Sequence, residues 1–151
     1  MIRYNQVAAN ISLLPNFISA YERELSEAKM ECSIAGLVEK NLKELPGITE
    51  HRFNQLQEID ALLTYMNLEL RKIKQKHYKL YLEKYNKALT SRDAEKYSLA
   101  EDEVIDYEVL INELALLRNK YLGITKAFES KGFQLNAIVK IRTAGMDDIT
   151  I

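Results

Sequence analysis

The chain has 151 residues, a formal net charge of -1 and one cysteine, Cys32. Near-cancelling charge offers no global field toward nucleic acid or membrane, a lone cysteine excludes an intrachain disulfide, and no apolar run approaches the ~20 residues of a membrane span. Five glycines, two prolines and no tryptophan, against abundant Leu, Ala, Glu and Lys, are the composition of long helices, so the expectation is a single all-α domain over 1–151.

Asn5, Gln6, Asn10 and Glu22 interrupt the N-terminus where a signal peptide needs an apolar core. With the single thiol, this points to a reducing cytoplasm, that of the host cell if the protein is viral. A first helix is expected over 16–45, with Pro15 near its first turn and apolar side chains at Ile18, Tyr21, Leu25, Ala28, Cys32 and Ala35. The small residues 28, 32 and 35 leave room for a neighbouring helix. After a phase slip the stripe resumes at Val38, Leu42 and Leu45, and Pro46-Gly47 reads as a stop.

Thr49 is placed to cap a second helix over 49–89, with Glu50 favourable at its positive end. Its stripe (Phe53, Leu56, Ile59, Leu63, Met66, Leu70, Ile73, His77, Leu80) keeps a coiled-coil period. Such a rod, on the order of 60 Å at 1.5 Å per residue, is expected to need partners from outside the chain. The polar stretch 90–98 reads as a loop with at most a turn of helix, and Ser98-Leu-Ala-Glu101 as a capping box for a third helix over 99–131. That helix carries Leu110, Leu114, Leu117, Tyr121, Ile124 and Phe128 until Gly132, which suits a left-handed cap. A short amphipathic helix over 133–142 follows, with Phe133, Leu135, Ile138 and Ile141 apolar, and the tail from Ala144 has no periodic signal. The whole reads as a long helical hairpin, flanked by an N-terminal and a short C-terminal helix and assembling as a homo-oligomer. Leu70, Ile73, Leu110, Leu114, Leu117, Tyr121, Ile124 and Phe128 are the expected oligomer seam.

Charge is segregated along the chain. Residues 1–68 sum to -3, 69–97 to +5, 98–113 to -6 and 114–151 to +3. The basic stretch contains Arg71, Lys72, Lys74, Lys76, Lys79, Lys84, Lys87, Arg92 and Lys96, interleaved with Tyr78, Tyr81, Tyr85 and Tyr97. Cations beside aromatic faces are what non-specific single-strand binding needs: phosphates are neutralised and unpaired bases stack. Alternatively, the Lys and Tyr side chains line the flank of a coiled coil and meet the acidic 101–108 stretch across the hairpin.

Chemistry-bearing constellations are sparse. His51 and His77 have no Cys or acidic neighbour at ligand spacing, so no metal site is expected. His77 reads as a packed residue of the stripe and His51 as solvated. No Gly-rich phosphate loop, nucleophile elbow or His-Glu-x-x-His pair occurs, and Asp102/Asp106 and Asp147/Asp148 suit a helix start and a tail, so the chain reads as a non-enzyme without cofactors. Cys32 reads as a small core residue.

The stretch Ile124-Thr-Lys-Ala-Phe-Glu-Ser-Lys-Gly-Phe-Gln-Leu-Asn-Ala-Ile-Val-Lys-Ile-Arg-Thr-Ala-Gly145 resembles the C-terminal segment of the UvsY family, recombination mediators of T4-like bacteriophages. The points of likeness are a long helix, then Ser-Lys-Gly-Phe, then an apolar segment ending in arginine. The Lys- and Tyr-rich stretch 72–97 is similar to the family's basic helix and its connection, so about half of the chain is covered. The resemblance implies a mainly helical oligomer that binds single-stranded DNA. It also implies a role in loading the phage recombinase onto strands coated by the phage single-strand-binding protein. Lys79 falls where the family has a DNA-contacting lysine, Tyr81 stands where it has an arginine, and the first 48 residues have no counterpart. The implied DNA-binding set is Arg71, Lys72, Lys74, Lys76, Lys79, Tyr81, Lys84 and Lys87. The rival expectation is a coiled-coil structural or assembly protein, such as a phage small terminase subunit, without single-strand preference.

Overall fold

The computed structural model describes residues 1–84 and 89–145, and every regular element among them is helical. The elements are α1 (Tyr4–Ala9), a 3₁₀ turn (Ile11–Leu13), α2 (Leu14–Glu31), α3 (Val38–Lys84), α4 (Ser91–Leu99) and α5 (Asp102–Thr143). None is long and apolar enough to cross a membrane.

Helix α1 was not marked by any sequence signal. The Gln6 side chain accepts from the Arg3 amide at 2.8 Å, and the Tyr4 amide donates to Glu58 of α3 at 3.0 Å, tying the segment down. Asn10 then caps the 3₁₀ turn by accepting from the Ser12 amide and hydroxyl. Pro15 sits in the first turn of α2, where its missing amide hydrogen costs nothing.

The expected helix over 16–45 is broken earlier than the proline. It ends at Glu31, and the chain reverses through a turn in which Gly36 takes φ 76, a conformation that L side chains resist. Asn41 closes the turn by donating to the carbonyls of Ala35 and Leu37 at 2.9 and 2.8 Å. Pro46-Gly47, expected to be the stop, lies inside α3 instead. The proline ring costs one helical hydrogen bond, yet the flanking Leu45 and Ile48 pack on the core, and that burial carries the helix through. Thr49, expected as a cap, donates its hydroxyl to Leu45 O at 2.8 Å within the helix.

Gly132 is likewise not a cap. Helix α5 continues through it to Thr143, and the Leu45 side chain lies 3.6 Å from where a Cβ would stand. The residue with a positive φ (75) beyond α5 is Gly145. The 90–98 stretch is a full helix, α4, capped by Thr90, whose hydroxyl accepts from the Asp93 amide. Ser98 belongs to α4 and donates to Glu95 O at 2.7 Å, so the expected capping box does not form. Asp102 and Glu103 do occupy the first turn of α5, where the helix dipole favours acid.

Helices α3 and α5 run antiparallel side by side, matched from Lys74–Glu108 near one end to Leu45–Gly132 near the other. Helix α2 lies beside them along the proximal half, Tyr21 meeting Tyr121 and Glu31 meeting Lys131, and α4 folds back along the distal half. The core is built where three helices meet. Phe17, Tyr21 and Leu25 of α2 close against Leu56, Ile59, Leu62 and Met66 of α3 and Leu114, Leu117, Tyr121 and Phe128 of α5. Phe17 and Tyr21 stack at 4.3 Å, and Tyr121 donates its hydroxyl to Tyr21 O at 2.9 Å.

Candidate nucleic-acid interface

The distal half of α3 positions the basic stretch. Leu70 is buried and Ile73, His77 and Leu80 are half-buried toward α5, which turns Arg71, Lys72, Gln75, Lys76 and Lys79 outward on one arc. A shallow depression of about 390 Å³ on this arc is lined by Lys72, Gln75, Lys76, Lys79, Leu80 and Glu83. A second, of about 450 Å³, lies between α3 and α4 and is lined by Arg71, Lys74, Gln75 and Tyr78 of α3 and by Glu95 and Leu99 of α4. Arg92 and Lys96 are exposed on α4.

These cations are not equivalent. Lys74 Nζ lies 3.2 Å from Glu108 and Lys76 Nζ 3.8 Å from Glu103, both across the hairpin, and Lys72 pairs with Glu69 at 3.0 Å within α3. Arg71 and Lys79 make no ion pair among the described residues, and Lys84 is exposed at the end of α3 on a different azimuth. Lys87 and Tyr85 lie outside the described residues. His77 is not a purely packed residue as expected: its Nε2 meets Glu103 at 2.7 Å, and the imidazole followed by Lys76 holds that carboxyl below its ordinary range. Tyr81 stacks on Tyr97 with ring centroids 5.7 Å apart and donates its hydroxyl to Glu101, so its ring edge serves the α3–α4–α5 junction. Tyr97 stays 52% exposed on the other side of that stack.

The eight residues expected to form an oligomer seam are placed inside one chain. Leu70, Leu114, Leu117, Tyr121, Ile124 and Phe128 are buried between helices of the same hairpin, while Ile73 and Leu110 are half-buried there. The step from a long rod to a need for outside partners therefore fails, because α5 and its flanking helices cover the rod. Phe53, expected on that stripe, is 46% exposed, and Leu62 is fully buried where the stripe expected Leu63, which is half-buried.

Sequence reasoning also missed the strongest charged cluster. Arg52, only 3% exposed, donates to Glu31 through Nε at 3.0 Å and Nη2 at 2.7 Å, and to Glu24 through Nη1 at 2.7 Å. Gln55 donates to the same Glu24 oxygen at 2.9 Å, and Lys131 donates to Glu31 O at 2.8 Å. Three helices are joined at this point. Glutamates at 24, 27 and 31 on one helical face were the available signal, since that spacing presents an acidic ladder to a facing helix. His51 is solvated as expected, 3.9 Å from Glu24. Cys32 is half-buried at the end of α2, and burial pushes its thiol pKa up.

Comparison of the chain with protein-family models, with curated proteins and with solved structures returned no match.

Proposed function

We propose that this chain binds single-stranded DNA as a homo-oligomer and serves as a phage recombination mediator, loading a recombinase onto strands held by a single-strand-binding protein. The observation that carries the DNA part is the arc of α3. Arg71 and Lys79 stay unpaired among the described residues, and Lys72 and Lys76 are bridged only at the surface, with the cations of α4 on the same half of the molecule. Surface pairs of this kind exchange readily for phosphate, since water and salt screen them. Tyr78, half-buried in the depression that Arg71 and Lys74 also line, and the exposed Tyr97 supply rings on which a base can stack. The recombination role rests on the C-terminal resemblance alone.

A second reading, a coiled-coil structural or assembly protein, is favoured by the bridges from Lys74, Lys76 and His77 to Glu108 and Glu103, which engage basic residues inside the hairpin.

Fluorescence anisotropy with a labelled oligonucleotide separates the two. Single strands are expected to bind at low salt in preference to duplex, weakening as salt rises, with a slope set by the phosphates neutralised. Arg71→Ala with Lys79→Ala should lower affinity by roughly tenfold or more and shallow that slope by about 1 to 2. Lys74→Ala should change binding far less. No binding at low salt, or equal binding to duplex, sinks the reading.

A further inference from the structure

The outer face of α5 carries a line of residues that none of the other described elements covers. Ile105, Val109 and Leu116 on it are 44, 50 and 58% exposed, and Gly123, Ser130 and Ile141 continue it, all exposed. The spacing averages the 3.6-residue helical period, so the line stays on one side of α5 for about 54 Å. Asn112, Asn119, Gln134 and Ala137 share it, and none of these positions is charged, although 28% of the chain is. A solvated helix face is ordinarily dressed in charge.

Gly123 lies at the centre of the line, within helical backbone, and a Cβ there would meet nothing within 4 Å. Packing among the described residues gives no reason for a residue that weakens a helix. Close approach of a second helix backbone does.

Away from its centre the line reads alike in both directions. About Gly123, Ile105 mirrors Ile141, Val109 mirrors Ala137 and Asn112 mirrors Gln134, whereas nearer the glycine Leu116 falls opposite Ser130 and Asn119 opposite Ala127. Two copies of α5 crossing antiparallel at this glycine would set apolar ends on apolar ends and amide opposite amide, each able to donate and accept. Charge selects the same direction. Asp102 and Glu103 occupy the first turn of α5, and Lys140 and Arg142 the last. Antiparallel pairing carries Asp102 and Asp106 of one copy to the Arg142 of the other along one flank, and Glu108 toward Lys140 along the opposite flank. Parallel pairing would stack acid on acid. A strip of this length and one helix wide on each copy comes to roughly 1,000 Å² in total, where specific interfaces begin.

We propose that the outer face of α5, centred on Gly123, is the surface on which a second copy of this chain docks antiparallel. This rests on the self-association in the function proposed above and assigns it to a surface other than the buried seam.

The test uses the full chain with Cys32→Ser, which keeps a donor for the contact that Cys32 makes to Ala28 O. With a short bismaleimide, Gly123→Cys is expected to cross-link into dimers, Ile105→Cys alone is not, and Ile105→Cys with Ile141→Cys in one chain is. Leu116→Glu should halve the light-scattering mass with unchanged helicity. Cross-linking through Ile105→Cys alone means parallel pairing and overturns the proposal. An oligomer that does not cross-link at position 123 uses another surface, and a monomeric wild type at tens of micromolar has no such interface; either overturns it too. Oligonucleotide binding by monomeric Leu116→Glu keeps the DNA reading separate from this one.

Discussion

Arg52 holds the proximal half of the bundle together through its partners on α2, and its removal would strand two glutamates beside a closed core. Breaking a fully buried pair costs about 3–5 kcal/mol. Both glutamates keep 29% of their side-chain surface in water, so Arg52→Ala is expected to cost about 2–3 kcal/mol, measured by urea unfolding. Arg52→Lys should recover only part, because an ammonium cannot grip Glu31 through two parallel bonds. The same cluster sets an acid limit. The Gln55 amide, and after it Arg52, hold the Glu24 carboxyl below its ordinary range. That stabilisation is complete above the ordinary carboxylate pKa and is lost as pH falls through the lowered one. The urea midpoint should therefore fall as pH drops below the ordinary carboxylate range, and Glu24→Gln should flatten the drop. None of this was legible from Arg52 itself, which stands one position off the apolar stripe and reads as a surface cation until α2 is seen to fold over it.

At the scale of the helices, periodicity identified α2, α3 and α5 but misplaced their ends. Local propensity puts a stop at Pro46-Gly47 and another at Gly132. These two weak points face each other across the hairpin, and the packing of Leu45 against α5 overrides both. Gly36, in an apolar run with no proline beside it, gave no such warning, and it is where the chain turns. Alanine should separate the cases by sign. Gly36→Ala forces a side chain into the left-handed region and should destabilise by about 1–2 kcal/mol. Gly47→Ala, with open space around it, should stabilise by about 0.5–1 kcal/mol through helix propensity. Thermal melts followed by circular dichroism read both. The candidate interface was legible to the same degree. The run of cations was plain, but which of them face solvent depends on α5 lying across Lys74 and His77, a tertiary fact that no spacing encodes.

Across the whole molecule the two ends of the hairpin are joined in different ways. Distal contacts link near neighbours in sequence, as His77 to Glu103 does across 26 residues, whereas the proximal ones link Tyr21 to Tyr121 and Glu31 to Lys131 across 100. Closing a long loop costs more chain entropy than closing a short one, which gives the molecule an order of assembly. The distal tip, with α3, α4 and the start of α5, should zip first, and α2 should dock once the last helix is in place. Stopped-flow refolding checks this: Ala94→Gly, in the buried face of α4, should mainly slow folding, while Tyr121→Phe, which frees Tyr21 O, should mainly speed unfolding. During synthesis α2 is made before α5, so Phe17, Tyr21 and Leu25 lack the α5 side of their core until that helix has emerged. The nascent chain carries the apolar face of α2 as a liability until α5 has left the ribosome.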